Sequence, residues 1–347
     1  MQPIIRALCA STLAVVASIS YAAAPADGPQ SARAGWHPSI QSGYDLLAEE
    51  TNQLAKQAKT YCAAPSRDAR EQLEQHWRDA FMAWQQVRFV SFGPVENNNL
   101  AWQFQFWPDP KNLVARKASY LTKSDQPITA DVIEQSGVAV QGFPMLEYLL
   151  FDEALASGER ALPAPHSCAL LTSITRHMAS NSQRLSADWH DFKTPYLNTE
   201  AYHISTIKAA MTTLEILEER RLAKPMGLRG NGKRNPYITD AWRSGASLLS
   251  VEATLRGLQQ HFLPGFLELL EQNGELDLAA RIRRQFKAAL DNFPAANQPM
   301  TTLLSDDNAF RVLQGLYVDV SQLTTLVNDQ AAVALGVVRG FNSSDGD

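Results

Sequence analysis

The sequence lacks the motifs that identify common hydrolases. It contains neither the HExxH motif of zinc proteases nor the GxSxG motif that carries a nucleophilic serine, and hydrolysis needs an activated nucleophile or a metal with an open coordination position. The closest metal spacing is that of His76 and Asp79, which are three positions apart and so share one helix face. Their segment, HWRDAF, is typical of an ordinary amphipathic helix. The sequence therefore favours binding over catalysis.

Charged residues are also scarce. They make up 19% of the chain, and the formal net charge is -5. A nucleic-acid partner would require a basic patch, which the sequence does not contain. The most basic and glycine-rich segment, residues 225–236, is typical of a surface loop. With 45% hydrophobic residues, the chain is expected to be globular and to have no nucleic-acid partner.

Long hydrophobic runs are missing except at the N-terminus. Residues 1–22 contain one basic residue, an apolar stretch and small residues at the end, which is the pattern of a secretory signal peptide. Cleavage after Ala22 and cleavage after Ala26 both fit this pattern. No other stretch approaches the roughly 20 apolar residues of a membrane span. We therefore predict a periplasmic protein whose residues 23–36, rich in Ala, Gly, Pro and Ser, form a flexible leader.

Cysteine is rare, with three residues in the whole chain. Cys9 lies inside the predicted signal peptide, so Cys62 and Cys168 remain after processing. In an oxidising compartment such a pair more often forms a disulfide than a metal site, and neither residue lies near a histidine cluster. We predict a Cys62–Cys168 disulfide that stabilises the fold by about 4 kcal/mol through loop closure.

No alternation of apolar and polar residues is long enough to predict a sheet, whereas apolar residues recur at intervals of three and four throughout the chain. The fold class is therefore all-α, and short connections between long helices favour up-and-down bundles. A further helix is predicted over residues 238–262, with Thr239 as its cap, and Ser66 is predicted to cap the second helix. The first two apolar stripes consist of Ile40, Tyr44, Leu47, Leu54, Ala58 and Tyr61, and of Leu73, Trp77, Phe81, Trp84 and Val87.

The most apolar stretch is residues 138–151, VAVQGFPMLEYLLF, which Gly142 and Pro144 interrupt and which carries a single carboxylate, Glu147. A helix that is apolar on all sides is usually buried. Burying a carboxylate costs several kcal/mol unless a cation, a metal or hydrogen-bond donors surround it. The stretch therefore predicts a binding or catalytic site at Glu147. The alternative is a kinked core helix in which Glu147 pairs with an arginine.

An aromatic segment, residues 91–112, precedes this stretch. Its Gly-Pro and Pro-Asp-Pro turns and its three consecutive asparagines bracket a cluster of aromatic residues. A loop this aromatic is expected to fold back over the body of the protein. The aromatic residues are Trp102, Phe104, Phe106 and Trp107, and the predicted polar contacts are Asp109, Asn112 and Arg116.

Residues 142–147, Gly-Phe-Pro-Met-Leu-Glu, resemble the signature of the imelysin-like family of bacterial periplasmic and outer-membrane proteins, whose usual form is Gly-x-His-x-x-Glu. Gly142 and Glu147 match the Gly and the Glu. Pro144 stands at the position of the His, so one of the family's two proposed metal ligands is replaced.

Two further segments resemble the same family. A helix bearing Arg88 leads to Phe-Gly-Pro and then to Phe-Trp-Pro-Asp, and residues 242–247 resemble the family's Arg-Ser-Gly-x-Ser segment. The resemblance implies two helical-bundle halves packed together. We assign residues 37–200 to an N-terminal bundle with the GFPMLEY motif, residues 201–340 to a C-terminal bundle, and residues 341–347 to a polar tail.

The resemblance also implies a role in bacterial iron acquisition. Iron prefers hard oxygen ligands, which Glu147, as the candidate metal ligand, would supply together with Asp109 and Glu96. If the carboxylate is instead part of a buried ion network, Arg88, Arg116 or Arg243 would face it. The predicted site residues are Glu147, Trp84, Arg88, Glu96, Asp109, Arg116, Arg243 and Ser244.

We therefore predict a periplasmic imelysin-like protein that serves iron uptake by binding a metal, with iron as the candidate, or an iron-related ligand or partner near Glu147, without catalysis. One alternative is a metallopeptidase of the imelysin type. Another is a scaffold that binds no metal and contacts a membrane or periplasmic component of iron uptake.

Overall fold

The computed structural model of the chain describes residues 28–124, 126–296 and 298–337. These residues form helices and no β-strand, so the predicted all-α class is confirmed. In the part of the chain described, no helix is both long and apolar enough to cross a membrane. The predicted signal peptide and the predicted tail at 341–347 lie outside the described residues.

Two long helices and one later helix dominate the part of the chain before residue 200. Short 3₁₀ turns at Gly93–Asn99, Val138–Val140 and Glu153–Leu155 separate the shorter helices. The α-helices are α1 (Gly28–Ala63), α2 (Arg67–Val87), α3 (Leu100–Phe104), α4 (Leu113–Lys123), α5 (Ala130–Gln135), α6 (Phe143–Phe151), α7 (Pro165–Asp191) and α8 (Lys193–Asn198).

The remainder of the chain contains helices interrupted by π-helical turns at Ile216–Ala223, Leu258–Phe262 and Thr325–Ala331, with 3₁₀ turns at Pro236–Ile238 and Phe293–Ala296. The α-helices are α9 (Ala201–Glu215), α10 (Ser247–Gly257), α11 (Leu263–Gln272), α12 (Leu276–Asp291), α13 (Met300–Ser305), α14 (Asp307–Thr324) and α15 (Ala332–Ala334).

The apolar stripes of α1 and α2 are buried as their spacing predicts. The start of α2 also follows the prediction, because the Ser66 side chain accepts a hydrogen bond from the backbone N–H of Ala69 at 3.1 Å, as an N-cap does. The disulfide between Cys62 and Cys168 is confirmed, and it joins the end of α1 to the first turn of α7.

The prediction of a flexible leader over residues 23–36 is wrong from Gly28 onward, because α1 already includes these residues. Trp36 is buried, its ring stacks on that of Phe262 at 5.7 Å, and its Nε1–H donates to the Phe262 carbonyl at 2.7 Å. The guanidinium of Arg33 donates to the carbonyls of Leu197 and Glu200. These contacts with distant parts of the chain hold the segment in the helix despite its composition.

The helix predicted over residues 238–262 begins later than expected, at Ser247. Residues 239–246 instead form a turn in which Ala241 and Gly245 have positive φ angles of 51° and 71°, a conformation that no α-helix accepts. Thr239 does not cap this helix; its hydroxyl donates to the Pro236 carbonyl. This turn contacts α6, since the backbone N–H of Ser244 donates to the Glu147 carboxylate.

The two parts of the chain pack along α1 and α2, which contact α11 and α10 respectively. The approach of α10 to α2 is close enough to require glycine at one point. A Cβ atom on Gly257 would lie 2.0 Å from the carbonyl oxygen of Gln86, well inside van der Waals contact. Helix α1 also packs against α2 and α7, so it lies at the centre of the molecule.

The aromatic segment, residues 91–112, folds back over this body as predicted. Phe104 is buried, with its ring 4.8 Å from that of Trp84. The asparagines provide the turns, since Asn98, Asn99 and Asn112 all have positive φ angles, a conformation for which asparagine is favoured.

Candidate functional site

The interruption at Gly142 and Pro144 marks the start of α6 rather than a kink within it. Gly142 is the N-cap residue, and Pro144 lies in the first turn, where its missing N–H costs nothing. A Cβ atom on Gly142 would lie 2.2 Å from the Phe104 carbonyl oxygen. Glycine is therefore required here because the aromatic segment crosses directly over the helix start.

Glu147 is buried, as the sequence predicts, with 4% of its surface exposed. Its Oε1 accepts hydrogen bonds from the backbone N–H of Ser244 at 2.9 Å and from the Ser244 hydroxyl at 3.0 Å. Both donors belong to the 239–246 turn, so this turn and α6 meet at the carboxylate. Arg243, next to Ser244, forms its ion pair with Asp152 at the end of α6.

Burial raises the pKa of Glu147 from 4.5 to about 7, against the opposing effects of the Ser244 donors and the Arg243 charge. The folded protein therefore holds a proton between about pH 4.5 and 7 that the unfolded chain releases. This contribution to stability is complete below pH 4.5 and is lost as the pH rises through 7. At higher pH the carboxylate is ionised in a poorly solvated position.

We expect Glu147→Gln to become more stable relative to the wild type as the pH is raised, by at most about 1.4 kcal/mol per pH unit between about pH 5 and 7, the range in which only the folded wild type holds the proton. The glutamine carbonyl can still accept both Ser244 hydrogen bonds but does not ionise. Urea denaturation of the wild type and the variant at both pH values measures the difference in their free energies of unfolding. A difference that does not change with pH would mean that Glu147 is already ionised at pH 5.

Glu147 lies in the wall of a cavity of about 820 Å³ between the two parts of the chain. The first turns of α6, the aromatic segment and residues 237–243 form most of the wall, and Trp77 and Phe81 of α2 and Val114 of α4 complete it. The π-helical turn at Ile216–Ala223 and the residue after it contribute basic side chains. The lining side chains include Pro144 and Glu147 from α6, Phe106 and Trp107 from the aromatic segment, and Tyr237, Trp242, Arg243, Arg220 and Lys224 from the later part of the chain.

Three carboxylates line the cavity, but two of them have structural partners. Both oxygens of Asp109 accept backbone N–H groups at the start of α4, from Leu113 at 2.8 Å and Val114 at 2.9 Å. Asp240 pairs with Arg221 at 3.0 Å. Glu147 differs from both, because its Oε2 makes no hydrogen bond with any described residue. The carboxylate oxygen available to a ligand is therefore Oε2 of Glu147.

A buried polar network lies behind the cavity wall. The Asp240 carboxylate accepts from Arg221 and from the Gln105 amide, each at 3.0 Å, and Arg221 also donates to Gln85 at 2.8 Å. Arg88 adds a second positive charge; burial and then the nearby Arg221 lower its pKa to about 9. Asp240 thus lies close to two guanidinium groups.

The indole of Trp107 connects this network with the cavity. The guanidinium carbons of Arg221 and Arg88 lie 5.5 and 5.8 Å from the ring centre, within the range of a cation–π interaction. The Trp107 Nε1–H donates to the Ile238 carbonyl at 3.3 Å. Trp107 is therefore held in place by both parts of the chain while it lines the cavity.

The structure brings together some of the residues named from the sequence and separates others. Glu147, Ser244, Arg243 and Asp109 lie at or beside the cavity, while Trp84 and Arg88 lie behind it. The Trp84 Nε1–H donates to Gln105 at 3.0 Å.

Two of the named residues lie outside the cavity wall. Glu96 is exposed and accepts from the backbone N–H of Gly93 at 3.0 Å, and Arg116 is exposed on α4. The oxygen-ligand set of Glu147, Asp109 and Glu96 is therefore not assembled in this structure, and neither Arg88 nor Arg116 pairs with Glu147.

The sequence analysis did not predict several residues of the site. Gln105 and Asp240 are buried polar residues within the aromatic segment and the 239–246 turn, and Arg221 is buried after α9. Arg220, in the same π-helical turn, and Lys224, directly after it, line the cavity. For Arg220 and Arg221, the sequence signal was their position at the end of the predicted helix over residues 204–222, whose apolar residues recur at helical spacing. π-Helical turns of this kind are frequent at functional sites.

Comparison with known proteins identifies relatives of this fold. The family model described as Imelysin matches residues 40–327, and no curated protein matches the chain. Among solved structures, an imelysin-like protein from Psychrobacter arcticum 273-4 is similar with a TM-score of 0.78 and 21% sequence identity, over 91% of this chain and 98% of that one. A protein from Parabacteroides distasonis ATCC 8503 named as an iron-regulated protein A precursor has a TM-score of 0.66 and 15% identity, over 89% of this chain and 96% of that one.

Proposed function

The chain belongs to the imelysin family, and from this premise we propose that it is a periplasmic protein of iron uptake that binds an anionic organic iron complex in the cavity beside Glu147, without catalysing a reaction. The cavity between the two parts of the chain is the observation that carries this proposal. Its volume of about 820 Å³ lies in the range of 300–1,000 Å³ that is usual for small-molecule sites.

The chemistry of the cavity wall suits a flat, anionic ligand. Trp107, Phe106 and Trp242 provide aromatic surface for stacking. Arg220 and Lys224 are basic, and Arg243 adds a guanidinium group whose charge is shared with Asp152. Lys224 and Tyr237 are exposed at the cavity, where they would meet an entering ligand first. Small-molecule sites are lined mainly by hydrophobic and aromatic side chains with a few placed polar or charged groups, and basic groups among them favour an anion.

The donor set supports a complexed iron rather than a bare ion. A bare iron ion needs several converging oxygen or nitrogen ligands, whereas Asp109 and Asp240 are engaged elsewhere and Pro144 occupies the position of the family's His. Glu147 Oε2 can supply one oxygen, or a hydrogen bond from the protonated carboxyl group. Iron that arrives with its own organic ligands would need no more than this.

Export to the periplasm is supported by two observations. The Cys62–Cys168 disulfide is typical of an oxidising compartment, and the related protein from Parabacteroides distasonis is named as a precursor and as iron-regulated. A membrane or periplasmic component of iron uptake is the partner that we propose for the loaded protein.

Titration of the protein with haem and with ferric citrate, followed by tryptophan fluorescence, tests the proposal. We expect at least one of the two probes to bind, and Trp107→Ala and Lys224→Glu each to weaken that binding by about tenfold through lost stacking or lost charge attraction. Lys56→Glu is the matched control, since Lys56 is exposed on α1 and does not line the cavity.

Haem binding alone would indicate a planar ligand, and ferric citrate binding alone a smaller polycarboxylate complex. The proposal is wrong if neither probe binds the wild type, or if the cavity variants bind as the wild type does. Cleavage of denatured casein by the wild type that Glu147→Gln abolishes would instead establish the metallopeptidase alternative.

A further inference from the structure

A second group of potential metal ligands lies where α1 packs against α2. One carboxylate oxygen of Glu50, one carboxylate oxygen of Asp79 and one ring nitrogen of His76 all lie within 4.8 Å of one another. His76 and Asp79 are three residues apart on α2, and Glu50 reaches them from α1. None of the three lines the cavity beside Glu147.

The negative charge of this group has no cationic partner within the described residues. None of the observed ion pairs includes Glu50 or Asp79. One carboxylate oxygen of Glu50 and one of Asp79 lie within 4.8 Å of each other, so the two groups repel each other when both are ionised. A cation between them would remove this repulsion.

His76 supplies an independent indication of a ligand. Its Nδ1 is buried and has no hydrogen-bond partner, although buried polar atoms in proteins are almost always paired. Asp79 is already held in position, since the Gln75 side-chain amide donates to its Oδ1 at 2.8 Å. This bond leaves Oδ2 of Asp79 available.

We propose that Glu50, His76 and Asp79 form a binding site for a divalent transition-metal ion of the zinc class, separate from the cavity beside Glu147. One imidazole and two carboxylates are ligands that Zn²⁺ accepts. Ligand atoms in a tetrahedral zinc site are separated by about 3.4 Å, which follows from bond lengths of about 2.0–2.1 Å, so small side-chain rotations would close the present spacing. A bound ion would join α1 to α2 and keep one coordination position for water.

Calorimetric titration of the metal-free protein with zinc chloride tests this site. We expect one Zn²⁺ per chain. His76→Ala and the isosteric Glu50→Gln should each weaken zinc binding by at least about tenfold. Loss of a residue that only hydrogen-bonds to a metal ligand costs about 10–100-fold in metal affinity, and loss of a ligand itself should cost no less. Glu49→Gln is the matched control, because Glu49 is exposed at the neighbouring position of α1. This substitution removes the same charge without removing a proposed ligand. Zinc should also raise the Tm of the wild type but not that of His76→Ala.

The proposal is overturned if the wild type binds no zinc, or if His76→Ala and Glu50→Gln bind it as tightly as Glu49→Gln does. It is also overturned if Glu147→Gln abolishes zinc binding while His76→Ala leaves it unchanged. Haem and ferric citrate titrations of His76→Ala separate this result from the proposed function, because that variant should bind those probes as the wild type does.

Discussion

Asp240→Ala is expected to lower the free energy of unfolding by about 3–5 kcal/mol, the usual cost of removing one partner from a buried ion pair. Asp240 and Arg221 are 4% and 2% exposed, and their pair has an N···O distance of 3.0 Å. Without Asp240, the guanidinium groups of Arg221 and Arg88 would remain close together without a nearby negative charge, and Gln105 would lose an acceptor.

Urea denaturation followed by far-UV circular dichroism measures this effect. Asp307→Ala is the matched control, because the Asp307 side chain pairs with Arg234 but is 90% exposed, and exposed pairs contribute about 0–1 kcal/mol. Equal losses of stability in the two variants would contradict the prediction. Such a result would mean that the charges of Arg88 and Arg221 are balanced without Asp240.

Replacing both Cys62 and Cys168 by alanine is expected to lower the free energy of unfolding by about 4–5 kcal/mol. The disulfide connects residues 106 positions apart, so its loss frees a long loop in the unfolded chain. The packing lost by the substitution is small, since each change removes only a sulfur atom. Most of the effect is therefore expected to come from the unfolded state.

Urea denaturation with and without dithiothreitol separates this effect from side effects of the substitution. The reductant should lower the stability of the wild type to that of the double variant and should leave the double variant unchanged. If the double variant is within about 1 kcal/mol of the wild type, the disulfide contributes far less than loop closure predicts.

The helical stripes show how much of the fold was predictable from sequence. Ile40, Tyr44 and Leu47 on α1, and Trp77 and Phe81 on α2, are buried as their spacing indicated. Periodicity reports the face of a helix that is hidden from water, and that property is local. The boundaries at residues 28–36 and 239–246 were wrong because contacts with distant segments override local composition there.

The candidate site was predictable only in part. The sequence indicated that Glu147 is buried and that donors or cations must surround it, and in the structure Ser244 supplies the donors, while no arginine of the described residues forms an ion pair with Glu147. That residue donates to Glu147 from 97 positions away. The pairing of Asp240 with Arg221 was not expected, since nothing in the sequence indicates that Asp240 faces the arginines at the end of the helix over residues 204–222.

By itself, the sequence determined that the chain is helical, that Cys62 and Cys168 pair, and that one carboxylate is buried in an apolar helix. These properties follow from hydrophobic spacing, from the small number of cysteines and from the cost of burying charge. Only the tertiary structure decided which groups meet Glu147, which charges share the space around Asp240, and which carboxylates lie beside His76. Each of these contacts joins segments far apart in the chain, so it depends on how the helices pack.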